Sequence, residues 1–500
     1  MSLFQLTYRG ISRCRLAFRI LSCAATLLLS MITGCGGGSQ IVGRQATMTG
    51  QTAIAVLATS TANDKLAAFS IQFTRISLTS QSGKTVDLIS TPVTTEFIHL
   101  NGAEGPLTFA SVPQDVYTSA SVALGSAWFT CTEFDASTGL QSATFEDLQV
   151  PSSVISVSLP AGPISVTETT LGISFDLLAS QSASYSGCTS SGNASFSITP
   201  SFAVSGVAIG AQRPDSANGK VTGLHGLISS ISRSGTNFNV QGADGSSLFG
   251  PSWQFTTDGG TEFQGVSSLA KLAEGMPVDI DAVIQSDGTL LVKRVGIYDT
   301  DTTDLNIFTG PVNVEHSSQP GFSIISQEQE GLLDNSSYYV GAFPVSTASA
   351  KFQTSGALNN LRQLPFAAKF DASDVIPGQN YSVTSHVSRL SGAYLPAATV
   401  TLMPQTINGI VSSIASDGAF TTYTVTLAPY DAFPNLANQP SQANRLSNPD
   451  TIVVYADSNT EQLTSTPPAV GELFRFHGLI FNDKGTLRMD CARINDGVAE

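Results

Sequence analysis

The sequence predicts an all-β protein: an N-terminal antiparallel β-sandwich followed by three small OB-like β-barrel modules. Three observations predict it. Apolar and polar residues alternate with period two in short segments broken by Gly, Ser, Asn and Pro, as at Phe69, Ile71 and Phe73, which is the pattern of half-buried strands. A segment opening on Gly226 returns at Gly409, so the second half of the chain is internally repeated. Only 12% of the residues are charged, against ~25% in an average globular chain, and Ser, Thr, Gln, Asn and Gly take their place. With 41% hydrophobic residues there is material for packed cores, and wholesale disorder is excluded. A length of 500 residues suggests about three to four domains.

The first element is an export signal. Residues 1–19 carry Arg9, Arg13, Arg15 and Arg19 and no acid, and an apolar run over residues 20–32 follows, interrupted only by Ser22, Thr26 and Ser30. The run is shorter than the ~20 residues of a membrane-spanning helix, so it reads as a segment to be removed. It ends in Met31, Ile32, Thr33, Gly34 and Cys35, which resembles the bacterial lipobox. The resemblance implies cleavage between Gly34 and Cys35, diacylation of the Cys35 thiol and acylation of its freed amine. Residues 1–34 are then a lipoprotein signal peptide and residues 35–44 a Gly-rich leash. Two or three acyl chains at ~0.8 kcal/mol per buried CH₂ give a stable membrane anchor. Gly36 stands where an aspartate would retain such a lipoprotein in the inner membrane, so the outer membrane is the expected location.

Removal of the four signal arginines takes the net charge from −15 to −19. An acidic surface argues against a nucleic-acid partner and against docking on anionic lipid by charge. Cys14 and Cys23 leave with the signal and Cys35 is lipidated, so Cys131, Cys188 and Cys491 remain. An oxidising compartment favours pairing, and Cys131 and Cys188 fall in one expected domain. Their disulfide is expected, with Cys491 a buried, unreactive thiol in a terminal strand.

The sandwich is expected over residues 45–212. A strand at residues 69–78 turns at residues 81–84 into residues 85–89, and further strands are read at 116–123, 154–159, 173–178 and 194–209. Seven or more short strands without helices point to a sandwich. Residues 71–78 with 86–89, then 112–117 and 173–180, resemble an uncharacterised β-sandwich domain of bacterial lipoproteins. That resemblance implies location and fold and no activity.

Residues 212–219 form a polar connector with Pro and Gly. Beyond it, Gly226-Leu-Ile-Ser-Ser-Ile-Ser232 returns as Gly409-Ile-Val-Ser-Ser-Ile-Ala415, and the stretch from Gly275 to Leu290 returns from Gly471 to Leu487. A weaker middle copy starts near Phe308 and Gly310. The expected modules are residues 219–300, 305–403 (divergent) and 406–498. Each ends in a hairpin, through residues 286–288 or 483–485, of the kind that reverses strands tightly. Residues 267–275 read as one short helix. Strands with one short helix suggest a five- or six-stranded barrel, and residues 429–449 read as a long inserted loop. These modules resemble a small β-barrel family of unknown function in bacterial exported proteins, which again implies no chemistry.

Motifs of chemistry are few. Ser82-Gly-Lys-Thr85 lacks the preceding glycine and following helix of a phosphate-binding loop. Ser268 and Lys271 have the spacing of an acyl-serine pair but no partner motif. His99, His225, His316, His386 and His477 show no paired spacing, so no zinc site is read from them. Asp299, Asp301 and Asp304 are weak calcium candidates whose spacing departs from the twelve-residue calcium loop. Trp128 and Trp253 read as core rather than as stacking platforms. No cofactor and no catalytic residue is expected.

Three function classes remain. The leading one is a non-catalytic, lipid-anchored envelope protein, a binding or adhesion module with an envelope protein or polysaccharide as partner, its site in loops such as residues 429–449. The second is a structural spacer or assembly component of the envelope. The third is a hydrolase of extracellular or envelope polymers, which needs two carboxylates facing each other across a cleft.

Overall fold

The computed structural model describes residues 50–61, 66–89, 91–135, 139–150, 154–168, 170–188, 195–208, 220–232, 235–242, 252–285, 289–316, 320–331, 341–356, 361–388, 394–429, 431–438, 446–464 and 466–497. The signal segment, Gly34 and Cys35, the leash, the 212–219 connector and the 286–288 hairpin lie outside them. The protein is all-β: of the described residues 64% are strand and 4% helix.

The first thirteen strands are β1 (Gln51–Thr61), β2 (Leu66–Ser80), β3 (Thr85–Asp87), β4 (Val93–Glu96), β5 (Gly105–Pro113), β6 (Asp115–Asp135), β7 (Gly139–Gln149), β8 (Val154–Val157), β9 (Ile164–Val166), β10 (Thr170–Leu178), β11 (Ala183–Ser186), β12 (Ser195–Ile198) and β13 (Phe202–Ala208). One sheet runs β13-β10-β1-β5; the other runs β3-β2-β6-β7, with β4 on β2 and β8 and β9 on β6. Their inner faces share one core, in which Phe73, Phe97 and Phe202 meet edge-on or tilted at 5.5 to 6.1 Å. Such ring pairs add about 0.5–1.5 kcal/mol each beyond their buried area. Strand β1 is buried on both faces, which is why its sequence is a continuous apolar run instead of an alternation. Ile54, Val56 and Ala58 enter the sandwich core, while Ala55 and Leu57 enter the core of the next unit.

Strands β14 (Lys220–Ile231), β15 (Asn237–Gly242), β16 (Ser252–Thr256), β17 (Glu262–Gln264), β18 (Pro277–Ile284) and β19 (Leu290–Ile297) form a sheet of order β16-β15-β14-β18-β19-β17. The ring closes because β16 also pairs in parallel with β19. Strands β20 (Leu305–Glu315), β21 (Gly321–Ser326), β22 (Glu328–Gly331), β23 (Gly341–Ser346), β24 (Lys351–Thr354), β25 (Asn380–His386), β26 (Leu395–Pro396) and β27 (Thr399–Leu402) follow. Here β23 pairs in parallel with β26 and β25 pairs with β27. The ring thus has the same order, with its last strand interrupted at Ala397 and Ala398. Finally β28 (Gln405–Asp417), β29 (Phe420–Leu427), β30 (Thr451–Ala456), β31 (Glu461–Leu463), β32 (Leu473–Asp483) and β33 (Thr486–Asp496) run β30-β29-β28-β32-β33-β31, closed by parallel β30 and β33.

The first strand of each ring carries a glycine followed by a bulge. The register shifts between Ile228 and Ser230, between Val312 and Val314, and between Val411 and Ser413. Two residues earlier stand Gly226, Gly310 and Gly409, where a Cβ would come within 2.3, 1.9 and 2.5 Å of a carbonyl oxygen on the neighbouring strand. The Gly-Xaa-Ile/Val-Ser-Ser pattern is therefore a backbone approach plus a bulge, which bends the strand round the ring.

Two expected features differ. Residues 267–275 hold only a 3₁₀ turn, Leu269–Lys271, with Ser268 extended and making no side-chain cap. The next residues are drawn into the ladder, Gly275 N–H donating to Ile228 O and Ile228 N–H to Met276 O, and this leaves no length for an α-helix. The 429–449 insertion is not all loop: Ala432–Ala437 forms a short helix, α1, that buries Phe433 and Leu436. Another four-residue helical turn, Ala179–Ser182, lies in the sandwich. Among the described residues no helix is long and apolar enough to cross a membrane.

Candidate functional site

A cavity of about 400 Å³ opens where all four β units meet. The sandwich contributes His99, Leu100 and Ala103; the first ring His225, Asp279, Asp281 and Arg294; the middle ring Glu328 and Asn380; the last ring Asp457, Asn459, Glu461, His477 and Arg493.

The first-ring side chains are placed by strand alternation, whereas His99, Leu100, Ala103, Asp457 and Asn459 come from turns and loops. On β18, Val278, Ile280 and Ala282 point into the ring, so Asp279 and Asp281 lie on its outer face. His225 on β14 sits directly across from Asp279, and Arg294 on β19 across from Asp281. The last ring repeats this pattern on β32 and β33: His477 pairs with Arg493, and Glu461 stands beside Arg493 as Glu262 stands beside Arg294. Outer-face residues of a small barrel ordinarily meet water. Here Asp279 is 1% and Arg294 5% exposed, because neighbouring units cover them.

Buried charges must be paired, and these form a chain. Glu96, at the end of β4, accepts the N–H groups of Phe69, Ile98 and His99 and the Nδ1–H of His99 at 2.7 to 3.0 Å. His99 Nε2 lies 3.5 Å from Glu328 Oε1, and His225 Nδ1 donates to Glu328 Oε2 at 2.6 Å. His225 Nε2 is 3.9 Å from Asp279. Arg294 donates to both Asp279 and Asp281 at 2.8 Å, and the Tyr298 hydroxyl donates to Asp279.

Protonation follows from this chain. Burial works against a charged His225, but Glu328, Asp279 and Glu330 outweigh it and raise the imidazole to about 9. His99 is likewise raised against burial, by Glu328 and Glu96. Burial would raise Glu328 and Asp279, yet the two histidines hold Glu328 low, and Arg294 with His225 hold Asp279 low. His477 is the opposite case: burial and then Arg493 push it down to about 3, so its imidazole is neutral. Its Nδ1 lies 2.9 Å from Thr406 Oγ1. Burial raises the Cys491 thiol in the same wall, which keeps it protonated and unreactive.

Hydrogen bonds also cross between units around the cavity. Thr406 Oγ1 donates to Asn101 O and Arg475 to Asn101 Oδ1, each at 2.8 Å, and Arg493 donates to Gly102 O. Gln327 donates to Ala67 O at 2.7 Å and Gln379 to Ile480 O at 2.8 Å.

The residues singled out from sequence lie mostly elsewhere. Cys131 and Cys188 are joined, their Cα atoms 5.8 Å apart, and Cys491 is a buried free thiol. Asp299 accepts from Thr384 Oγ1 and His386 Nε2 at 2.9 and 3.0 Å, and Asp301 accepts the N–H of Thr303. Asp299 is thus taken up by β25 and Asp301 by its own turn. Among the described residues no group of three or more His, Cys, Asp and Glu is arranged to hold a metal ion. Ser268 and Lys271 lie on the 3₁₀ turn, not on one face of an α-helix. Ser82, Gly83 and Lys84 lie in the turn between β2 and β3, and Thr85 opens β3. Trp253 is core, and Trp128 is half-buried. His316 meets Ser323 at 3.0 Å. The three histidines His99, His225 and His477, dispersed in sequence, converge on one cavity. The available signal was Asp279 and Asp281 flanking Ile280 with Arg294 one hairpin later, repeated by His477 and Arg493.

Residues 225–296 match a domain of unknown function, DUF5666. The matched segment contains four of the five first-ring residues that line the cavity, His225, Asp279, Asp281 and Arg294, with Gly223 just before it. No curated protein matches the chain.

Proposed function

We propose that the chain is a lipid-anchored cell-envelope protein of non-catalytic type, carried on Cys35 to the outer membrane, that binds a small molecule in the cavity. The observation that carries the binding half is the cavity itself: about 400 Å³, walled by four β units, and within the size range of small-molecule sites. Of the carboxylates in its wall, Asp279, Asp281, Glu328 and Glu461 each face a cation, while Asp457 accepts the N–H of Asn459 at 2.8 Å. General acid and base work needs a protonated acid beside an ionised one, and such pairing favours binding over hydrolysis. We further read the three rings as copies of one module, supported by their shared strand order and by the bulge after Gly226, Gly310 and Gly409. The anchoring half rests on the Arg-rich start, the apolar run and the Ile32-Thr33-Gly34-Cys35 sequence.

Intact mass and detergent partitioning in a bacterial host, beside Cys35→Ala, test the anchor. The wild type should enter the detergent phase with a diacylglycerol mass that the variant lacks. Two water-soluble, unmodified forms would withdraw it.

A further inference from the structure

We infer that the cavity takes an uncharged, polyhydroxylated ligand of about the size of a monosaccharide or sugar alcohol; this rests on the reading of the cavity as a binding site. Charge decides the class. The positive groups of the wall are already neutralised, His99 by Glu96 and Glu328, His225 by Glu328, Arg294 by Asp279 and Asp281, and Arg493 by Glu461. A charged ligand would lose its hydration and meet counter-charges already spent on one another, a cost that such sites repay poorly.

Hydrogen bonding then selects hydroxyls. Four buried polar atoms on lining side chains have no hydrogen-bond partner: the donor Arg294 Nη1 and the acceptor Asn380 Oδ1, and the donor His225 Nε2 with the acceptor Asp279 Oδ1, which face each other at 3.9 Å, beyond hydrogen-bond distance. Buried polar atoms left unpaired are costly, and native structures hold few of them. A hydroxyl donates and accepts at once, so a ligand carrying several satisfies a wall that mixes both kinds. No Phe, Tyr or Trp is among the described lining residues, which removes the stacking surface that a flat aromatic ligand would use.

The test is calorimetry and thermal unfolding of the full chain in detergent with glucose, mannitol and maltose as uncharged probes, and glucuronate and spermidine as charged ones. Ala492→Phe and Ala103→Phe, two independent variants, fill the cavity without touching a charge. The expected result is that at least one uncharged probe binds, that glucuronate binds at least about tenfold more weakly than glucose, and that both variants abolish the signal. A deoxy analogue should bind far more than about tenfold more weakly, since a site built to hold a hydroxyl strongly rejects the ligand without it. Tighter binding of glucuronate or spermidine, lost in both variants, would overturn the ligand class and leave the cavity reading intact. Binding that survives both variants would overturn the cavity reading. Silence from every probe, with the cavity holding water alone, overturns the inference.

Discussion

The Glu328 carboxylate and the His225 imidazole lie 2.6 Å apart although 103 residues separate them, and the same carboxylate lies 3.5 Å from His99. One acid thus takes two imidazoles, one from the sandwich and one from the first ring, on a strand of the middle ring. Glu328→Gln keeps the shape and removes the charge. It takes one counter-ion from each of two buried histidines, leaving His99 to Glu96 at 2.9 Å and His225 to Asp279 at 3.9 Å, and breaking a buried pair in this way costs about 3 kcal/mol or more. The denaturant midpoint should fall accordingly, and the His225 pKa should fall with it when followed by NMR. A Glu328→Gln protein as stable as wild type would show the junction to be held by packing alone.

Stability should also depend on pH in a stated window. His225 is raised to about 9 in the fold and titrates near ~6.5 in an unfolded chain. The folded state therefore keeps a proton that the unfolded state gives up, so this contribution is whole below ~6.5 and disappears as pH rises through about 9. Glu328 and Asp279 are held low, so their contribution is present above their ordinary titration and fades as pH falls into acid. Urea midpoints measured from pH 6 to 10 should decline between ~6.5 and about 9 and level off above. His225→Asn should flatten the decline; an unchanged slope would assign it to other groups.

The all-β class was legible because alternation and glycine-marked turns are local. Gly226 and Gly409 announce the ring wherever they occur, and Lys484 with Gly485 at φ 52° and 89° make the tight hairpin that Asp483-Lys-Gly485 suggests. The site was not legible, for a physical reason. Period two separates an inner face from an outer one and says nothing about what covers the outer face. Asp279 and Asp281 therefore read as solvent-facing, while in the structure Asp279 is buried by another unit. Glu328 is harder still, since β22 belongs to the divergent ring and carries no motif.

The glycine reading has its own test. At Gly409 a Cβ would sit 2.5 Å from Thr426 O and equally close to Val425 Cγ1, both on the paired strand. Neither can withdraw without opening the ladder, so Gly409→Ala should cost about 1–3 kcal/mol, as overpacking does. Gly418→Ala, at a turn where nothing lies within 4 Å but φ is 63°, should cost only the left-handed backbone penalty of about 1–2 kcal/mol, less than Gly409→Ala. Differential scanning calorimetry ranks the two, and a reversed order contradicts the close-approach account.

The Cys131–Cys188 bridge closes a separation of 57 residues. By the loop-entropy relation this limits the unfolded chain by about 4 kcal/mol. Thiol mapping of the mature protein should find both cysteines protected until reduction, and the double serine variant should lose stability of that order. Free labelling of both on unfolding without reductant rejects the bridge.

A last prediction concerns a group that the cavity does not use. Burial raises the Glu104 carboxyl to about 7, against the pull of Arg493 and with Asp176 adding to the rise. A carboxyl in an unfolded chain titrates near ~4.3. The fold therefore favours the protonated form: Glu104 does no harm at low pH, and between those two values it becomes a cost that persists at alkaline pH. Glu104→Gln mimics the protonated acid. It should raise the unfolding temperature at pH 8 by the equivalent of about 1–2 kcal/mol and leave it unchanged at pH 4. An equal effect at both pH values would mean that the substitution acts through shape, and a loss at pH 8 would mean that the ionised carboxylate supports the fold through Arg493.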